Sequence, residues 1–250
     1  MSDSMLGRTA LVTGSTDGIG VAIAATLAAR GAHVVVTGRN ATRGGEVVAA
    51  ILGNGGKATF VRADLRTGAA VRELADAAHD LAGGPLDVLV NNAAMLIAPG
   101  PTEDVDEAVI DAALAVNVKA SFLLTGLVAP LMAARGRGAI VNIGSINGQV
   151  GMAGSALYSA TKATIHSLTK SWAAEYGPRG VRVNTVAPGP TSTRRNQQIA
   201  EHLAPIIARA PSTRLSTPDE VAQAVLFLAS DAASNIHAAT IPVDGGWAAV

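Results

Sequence analysis

Seven short runs rich in β-branched residues punctuate the chain: TALVTG (9–14), HVVVTG (33–38), ATFVRA (58–63), LDVLVNNA (86–93), GAIVNIG (138–144), VRVNTVAPG (181–189) and TIPVDGG (240–246). Between them lie longer, Ala-rich segments at helical period, near 18–30, 41–53, 67–82, 104–134, 155–177 and 217–230. This alternation admits few folds. Each strand must reach a parallel neighbour through a right-handed helical crossover, which covers both faces of the sheet with helices. Strands buried on both faces read as continuous apolar runs, and apolar residues make up 49% of the chain against 15% charged. The reading is an α/β fold of about seven parallel, doubly wound strands. No linker, repeat or low-complexity run divides residues 1–250, so a single domain is expected. The least regular stretch, PGPTSTRRNQQIAEHLAPIIARAPSTRLSTPDE, holds five prolines. A loop of that length in a compact domain is usually functional, and a partly helical substrate flap is expected at about 190–216.

Bulk properties remove several function classes. Nineteen basic residues balance nineteen acidic ones, which leaves no electrostatic case for nucleic acid or an anionic membrane. The chain has no cysteine, so disulfides, thiolate catalysis and cysteine zinc sites are excluded. The start, MSDSMLGRTALVTG, lacks a basic region followed by a long apolar one, and no signal peptide is expected. The apolar stretch VAIAATLAARGAHVVVTG is broken by Arg30, Gly31 and His33 and does not read as a membrane span. A cytoplasmic protein is expected. The five histidines are scattered without ligand spacing, and no metal site is expected.

The first strand runs into Thr13, Gly14, Ser15, Thr16, Asp17, Gly18, Ile19 and Gly20, where a helix begins. Glycines there let the backbone turn sharply and bring amide groups to a pyrophosphate at the helix N-terminus. A glycine-rich turn without a ligand is the alternative. In a dinucleotide fold the end of the second strand selects the cofactor: an acid binds the ribose of NAD, a nearby arginine accepts the 2′-phosphate of NADP. Here Gly38 stands where the acid would be and Arg39 follows. That favours NADP(H) over NAD(H), because a guanidinium grips a phosphate at two points. Asp17 argues the other way, as a carboxylate beside the same pocket.

Tyr158 is one of two tyrosines, and Lys162, one of four lysines, follows one helical turn later. An i,i+4 surface pair is the plain alternative. The functional reading is acid–base chemistry. A phenol ordinarily titrates near ~10, too high for a base at neutral pH, and a neighbouring ammonium favours its ionised form.

Taken in order, TGSTDGIG, ADL (63–65), NNAA (91–94), VNVK (116–119), IGS (143–145), YSATK (158–162), NTVAPG (184–189) and PVDGG (242–246) resemble the short-chain dehydrogenase/reductase family over nearly the whole chain. The likeness is nearest to its branch of about 250 residues, the 3-oxoacyl-carrier-protein reductase-like and sugar- or steroid-type members. The resemblance implies a Rossmann-type sheet and hydride transfer between NADP(H) and a ketone or secondary alcohol. It implies that Tyr158 exchanges a proton with the substrate oxygen, that Ser145 holds that oxygen, that Lys162 also bonds the nicotinamide ribose, and that Asn117 links Lys162 to solvent through water. Asp64 and Leu65 would face the adenine. Asn91 would steady the sheet and, with Ala93, border the cofactor. Pro188 and Gly189 would flank the nicotinamide, with Thr191 and Thr193 holding its carboxamide. Ala94 and Ala238 stand where the family commonly has glycine, and a small shift in the path into the last strand is expected from the second.

Loops after the fourth, fifth and sixth strands offer Met95, Leu96, Ile146, Gln149, Met152 and Leu157 as a mostly apolar substrate lining beside Ser145 and Tyr158. Arg194 and Arg195 read as solvated surface. The family pairs its long helices between subunits, and the ending WAAV is apolar. A homotetramer is therefore expected, with the ending buried against a neighbour. Two other readings stay open: an NAD(H)-dependent dehydrogenase of the same family, and a non-catalytic nucleotide-sensing regulator, which would typically lack the Tyr/Lys pair.

Overall fold

The computed structural model describes residues 4–194, 196, 204 and 207–250. Seven strands form one sheet: β1 (Thr9–Val12), β2 (His33–Gly38), β3 (Lys57–Arg62), β4 (Val88–Asn91), β5 (Gly138–Ile143), β6 (Val181–Pro188) and β7 (Thr240–Val243). Their order is β3-β2-β1-β4-β5-β6-β7, and every neighbouring pair is parallel. The chain winds outward from β1 to one edge, then returns to β4 and winds to the other. The strand ends therefore splay between β1 and β4, which is where an open α/β sheet binds its ligand.

Seven α-helices connect the strands among the described residues: α1 (Gly18–Ala29), α2 (Ala41–Gly53), α3 (Gly68–Ala82), α4 (Glu107–Leu114), α5 (Ala120–Arg135), α6 (Ala156–Tyr176) and α7 (Pro218–Ala229). Their starts obey local chemistry. Asp17, Asn40, Thr67 and Thr217 each accept a first-turn N–H, and Thr217 with Glu220 completes a capping box. Alternate strand residues divide between two cores. Ala10, Val12, Val34, Val36, Val88 and Val90 pack with α1 and α7, while Leu11, Val35, Leu89 and Ile140 face α3, α5 and α6.

The expected helix at 104–134 begins at Glu107 and runs unbroken to Arg135, with a π turn inside it. Thr102–Asp104 form a 3-10 turn, α4 starts at Glu107, and a π turn at Ala115–Lys119 joins it to α5. The wider turn directs Asn117 at the backbone of Met95 while the helices on either side keep their apolar faces inward. The run Glu107–Arg135 is long and apolar enough to cross a membrane by composition, a stretch the sequence reading passed over. Here it serves as a core helix, with Leu124, Val128 and Met132 fully covered by the sheet.

Of the ending WAAV, only the tryptophan is covered by its own chain. Trp247 is buried against Ile146 and Ala210, while Ala248, Ala249 and Val250 are exposed. Ala238 enters β7 in the left-handed region, φ +57°. The chain thus takes there the conformation a glycine favours.

Candidate active site

The glycine turn is held rigidly from below. Ser15 is fully buried; its hydroxyl donates to Val12 O (2.7 Å) and accepts from Thr37 N (3.0 Å), and its own N–H goes to Thr37 O (3.0 Å). Its hydroxyl ties the turn back to β1 and its two bonds with Thr37 join it to β2, so Ser15 supports the turn. Thr13 Oγ1 accepts from Asn92 N (2.9 Å) and Ala93 N (3.0 Å), and Asn92 Nδ2 donates to Thr13 O (2.8 Å) and Gly14 O (3.1 Å). These bonds fasten the turn to the end of β4. Gly14 lies at φ +62°, and a Cβ there would stand 2.8 Å from Ala93 Cα. At Gly20 it would stand 2.3 Å from Gly14 O. The close approach that a pyrophosphate needs is built into the backbone. Thr193, at the start of the flap, comes 3.5 Å from the Cβ position of Gly18.

At the end of β2, a side chain on Gly38 would meet Thr16 Oγ1 at 2.4 Å. The missing acid therefore reflects packing by Thr16. Arg39 is exposed, and its carbonyl accepts from Arg62 Nε (3.2 Å). Asp17 caps α1 through Gly18 N (2.9 Å) and pairs with Arg43 (3.2 Å). The carboxylate that opposed a 2′-phosphate thus has its own cation. Asp64 is gripped by Arg66, whose hydrogen bonds hold its carboxyl below the usual range. It is not the cap of α3, a task that falls to Thr67. Leu65 lies beside it, buried in the second core.

A polar ladder crosses the centre of the sheet. Asn91, Asn142 and Thr185 stand in register on β4, β5 and β6. Asn91 Nδ2 donates to Thr125 Oγ1 (3.2 Å) and Asn142 Oδ1 (2.9 Å), Asn142 Nδ2 donates to Thr169 Oγ1 (2.8 Å), and Thr169 shares a 2.7 Å bond with Thr185. Asn91 therefore steadies the sheet.

One face of α6 carries Tyr158, Lys162 and His166 at successive turns. Lys162 is buried; its Nζ donates to Ile143 O (2.8 Å) and stands 5.7 Å from the Tyr158 ring centre. Burial pulls its pKa down to about 8. Ser145 is buried at the end of β5, and its Oγ accepts from Asn147 N (3.2 Å). Asn117 Oδ1 accepts from Met95 N (2.6 Å), and its Nδ2 donates to Met95 O (3.0 Å) and Thr161 Oγ1 (3.2 Å); that hydroxyl donates on to Tyr158 O (2.8 Å). Asn117, Tyr158 and Lys162 are thus tied into one network, with the Ser145 hydroxyl held separately by its own loop. Both polar atoms of the Asn117 side chain take part in it.

At the end of β6, Gly189 abuts Asp244, where a Cβ would come within 2.8 Å, and Pro188 is the last strand residue. Thr191 is buried, its hydroxyl donating to Gly189 O (3.0 Å), and Thr193 Oγ1 accepts from Asn196 N (3.4 Å). The substrate lining differs in part from expectation. Ile146 is buried beneath Trp247 and Ala210, with Met152 packed against that cluster, because the C-terminal tryptophan folds back onto this loop. Gln149 and Leu96 are exposed. A cavity of about 280 Å³ instead runs along Tyr158 and Leu157, walled by Ile97, Val105, Ile110 and Ala160. Arg195 and most of the flap lie outside the described residues. Sequence reasoning missed Arg43 and His166 beside the site; the second was detectable, since it repeats the Tyr158–Lys162 spacing.

A phosphate cradle at the sheet's switch point, beside a phenol and a buried ammonium, defines a dinucleotide-dependent oxidoreductase. Residues 14–248 match a family model described as enoyl-(acyl carrier protein) reductase. The chain is 42% identical over 252 residues to cis-4-hydroxycyclohexanecarboxylate dehydrogenase of Sinomonas cyclohexanicum, covering all of both chains. It is 39% identical to cyclopentanol dehydrogenase of Comamonas testosteroni, covering 97% of each. A solved structure from Beutenbergia cavernae, assigned as an NAD(P)-dependent gluconate 5-dehydrogenase with NADP at low occupancy, superposes with a TM-score of 0.93 at 40% identity and 99% coverage of both chains. This chain belongs to the short-chain dehydrogenase/reductase family, and it is an NAD(P)(H)-dependent enzyme of alcohols and ketones.

Proposed function

We propose that this protein interconverts a small alicyclic secondary alcohol and its ketone with NADP(H), as one catalytic domain spanning 1–250. The observation that carries the reading is the Tyr158–Lys162 pair, locked to Ile143 and, through Thr161, to Asn117 at the switch point of the sheet. Two observations support the substrate class. The cavity beside Tyr158 is apolar and, at about 280 Å³, lies at the small end of ligand sites. Two of the similar proteins carry names of alicyclic alcohol dehydrogenases.

The dinucleotide suits the residues present. Gly14, Thr16, Asp17, Gly18, Ile19 and Gly20 form the cradle, Arg39 receives the 2′-phosphate with Arg43 balancing Asp17, and Asp64 and Leu65 border the adenine. Asn91 and Ala93 form the floor, with Pro188, Gly189, Thr191 and Thr193 along the nicotinamide. The bound nicotinamide supplies or accepts the hydride. In the reductive direction Tyr158 donates its phenolic proton to the substrate oxygen, and in oxidation it takes that proton back. The Ser145 hydroxyl donates to the same oxygen and stabilises its developing charge. Lys162 keeps a positive charge beside the phenol and bonds the nicotinamide ribose. Asn117 links Lys162 to solvent through water.

Exposed Leu114, Phe122 and Leu131 on α4 and α5 support a homotetramer, working in the cytoplasm. The test is a panel of cyclopentanol, cyclohexanol and linear alcohols with both oxidised cofactors, run on the wild type and Tyr158→Phe. Turnover of the cyclic alcohols should fall by several orders of magnitude in the variant, with cofactor affinity kept. Retained turnover overturns the assignment of Tyr158; preference for linear alcohols overturns the substrate class.

A further inference from the structure

We infer that His166 is a positioning residue that fixes Ser145 for the reaction. At the end of β5 the strand ladder runs out: Gly144 N still reaches Val186 O (2.8 Å), but Ser145 N finds its acceptor in His166 Nε2 (3.4 Å). Both residues are buried, with Ser145 at 8% and His166 at 8% exposure. Without the imidazole, the Ser145 amide is a buried donor with no partner from the sheet, which destabilises the one peptide whose orientation sets the serine. Space is arranged for the ring. A Cβ on Gly144 would stand 2.2 Å from Nε2, so the residue between Ile143 and Ser145 carries no side chain.

The ring accepts at Nε2 only when that nitrogen is unprotonated. Burial, with Lys162 and Lys170 nearby, lowers its pKa to about 4, so the acceptor persists throughout the neutral range. Lys162 and His166, one turn apart, hold Ile143 O and Ser145 N respectively. The helix that carries Tyr158 therefore grips the serine loop at both ends of a single glycine. Further along that loop, Ser145 Oγ accepts from Asn147 N. That contact occupies a lone pair and leaves the hydroxyl hydrogen for a substrate oxygen.

This inference rests on the reading of Ser145 as the group that holds the reacting oxygen, and a double-mutant cycle separates the two. His166→Leu keeps an apolar volume without an acceptor. His166→Gln restores one near the Nε2 position. Each is made alone and in the Ser145→Ala background, with cyclopentanol as substrate, NADPH affinity followed by nicotinamide fluorescence, and the Ser145 amide proton followed by NMR. We expect His166→Leu to lower kcat about tenfold, with NADPH affinity and the KM for cyclopentanol within about twofold. Its Ser145 amide resonance should move upfield. His166→Gln should recover kcat to within about threefold and restore the resonance. In the Ser145→Ala background, His166→Leu should change kcat less than about twofold. An equal loss in both backgrounds, or a failure of glutamine to rescue, overturns the inference. Undiminished turnover in Ser145→Ala alone overturns instead the role of the serine. If the leucine variant does not fold, His166→Asn takes its place, since its shorter amide falls short of Ser145 N.

Discussion

Replacing Lys162 with methionine should separate what the ammonium does for catalysis from what it costs the fold. The lysine titrates at its usual 10.5 when unfolded and at about 8 when folded, because burial disfavours its charged form. Between those values the unfolded chain binds more protons, so stability rises with pH across that window. At ~1.36 kcal/mol per unit, the buried lysine costs the fold about 3 kcal/mol at pH 7, falling to about 1 kcal/mol at pH 9.5. Lys162→Met removes that cost but strips Ile143 O of its donor, a loss of ~1–3 kcal/mol that does not depend on pH. The variant should therefore match or exceed the wild type by up to about 2 kcal/mol at pH 7. The wild type should then gain about 2 kcal/mol on the variant by pH 9.5. Urea unfolding at both pH values and one protein concentration reads this difference directly. Turnover should collapse in the same variant. A stability difference that stays constant between the two pH values would refute the reasoning, because it would mean the ammonium is not desolvated.

Arg39→Ala should raise the KM for NADPH at least about tenfold more than that for NADH, the loss expected of one charge-assisted contact; steady-state kinetics with equal effects on both would remove the case for NADP(H). Ala238→Gly should relieve a left-handed alanine for a net gain of about 1 kcal/mol, or ~2–4 °C in Tm by calorimetry; an unchanged or lower Tm would count against strain there. Sedimentation at micromolar concentration should give a species of about 100 kDa, four chains of 25.0 kDa, and a monomer would refute the assembly.

Much of this architecture is legible in the sequence because it is local. The β-branched runs mark all seven strands, and the glycine turn announces itself by spacing. Tyr158, Lys162, Ser145 and Asn117 were each identifiable by their place in a motif. What escaped depends on which side chain meets which. Trp247 folding under its own flap, Thr16 filling the space above Gly38, and Arg43 answering Asp17 are contacts between distant or offset segments. The π turn was hidden because its residues, AVNVK, have ordinary helical composition, and only the pull of Asn117 on Met95 distinguishes them. The partner of Asn91 was a missed hint: Asn142, like Asn91, follows a valine near the end of its strand, and the two stand side by side.

That pairing has a bearing on how the enzyme can vary. The amide and hydroxyl chain from Asn91 through Asn142 to Thr169 and Thr185 runs through an interior otherwise made of hydrocarbon. Exchanging any one of its members strands a neighbour with nothing to bond, whereas a valine beside it can become isoleucine or leucine at modest expense. Mutational drift should therefore pass easily through the greasy positions and stall at these, where tolerated changes have to arrive as matched sets.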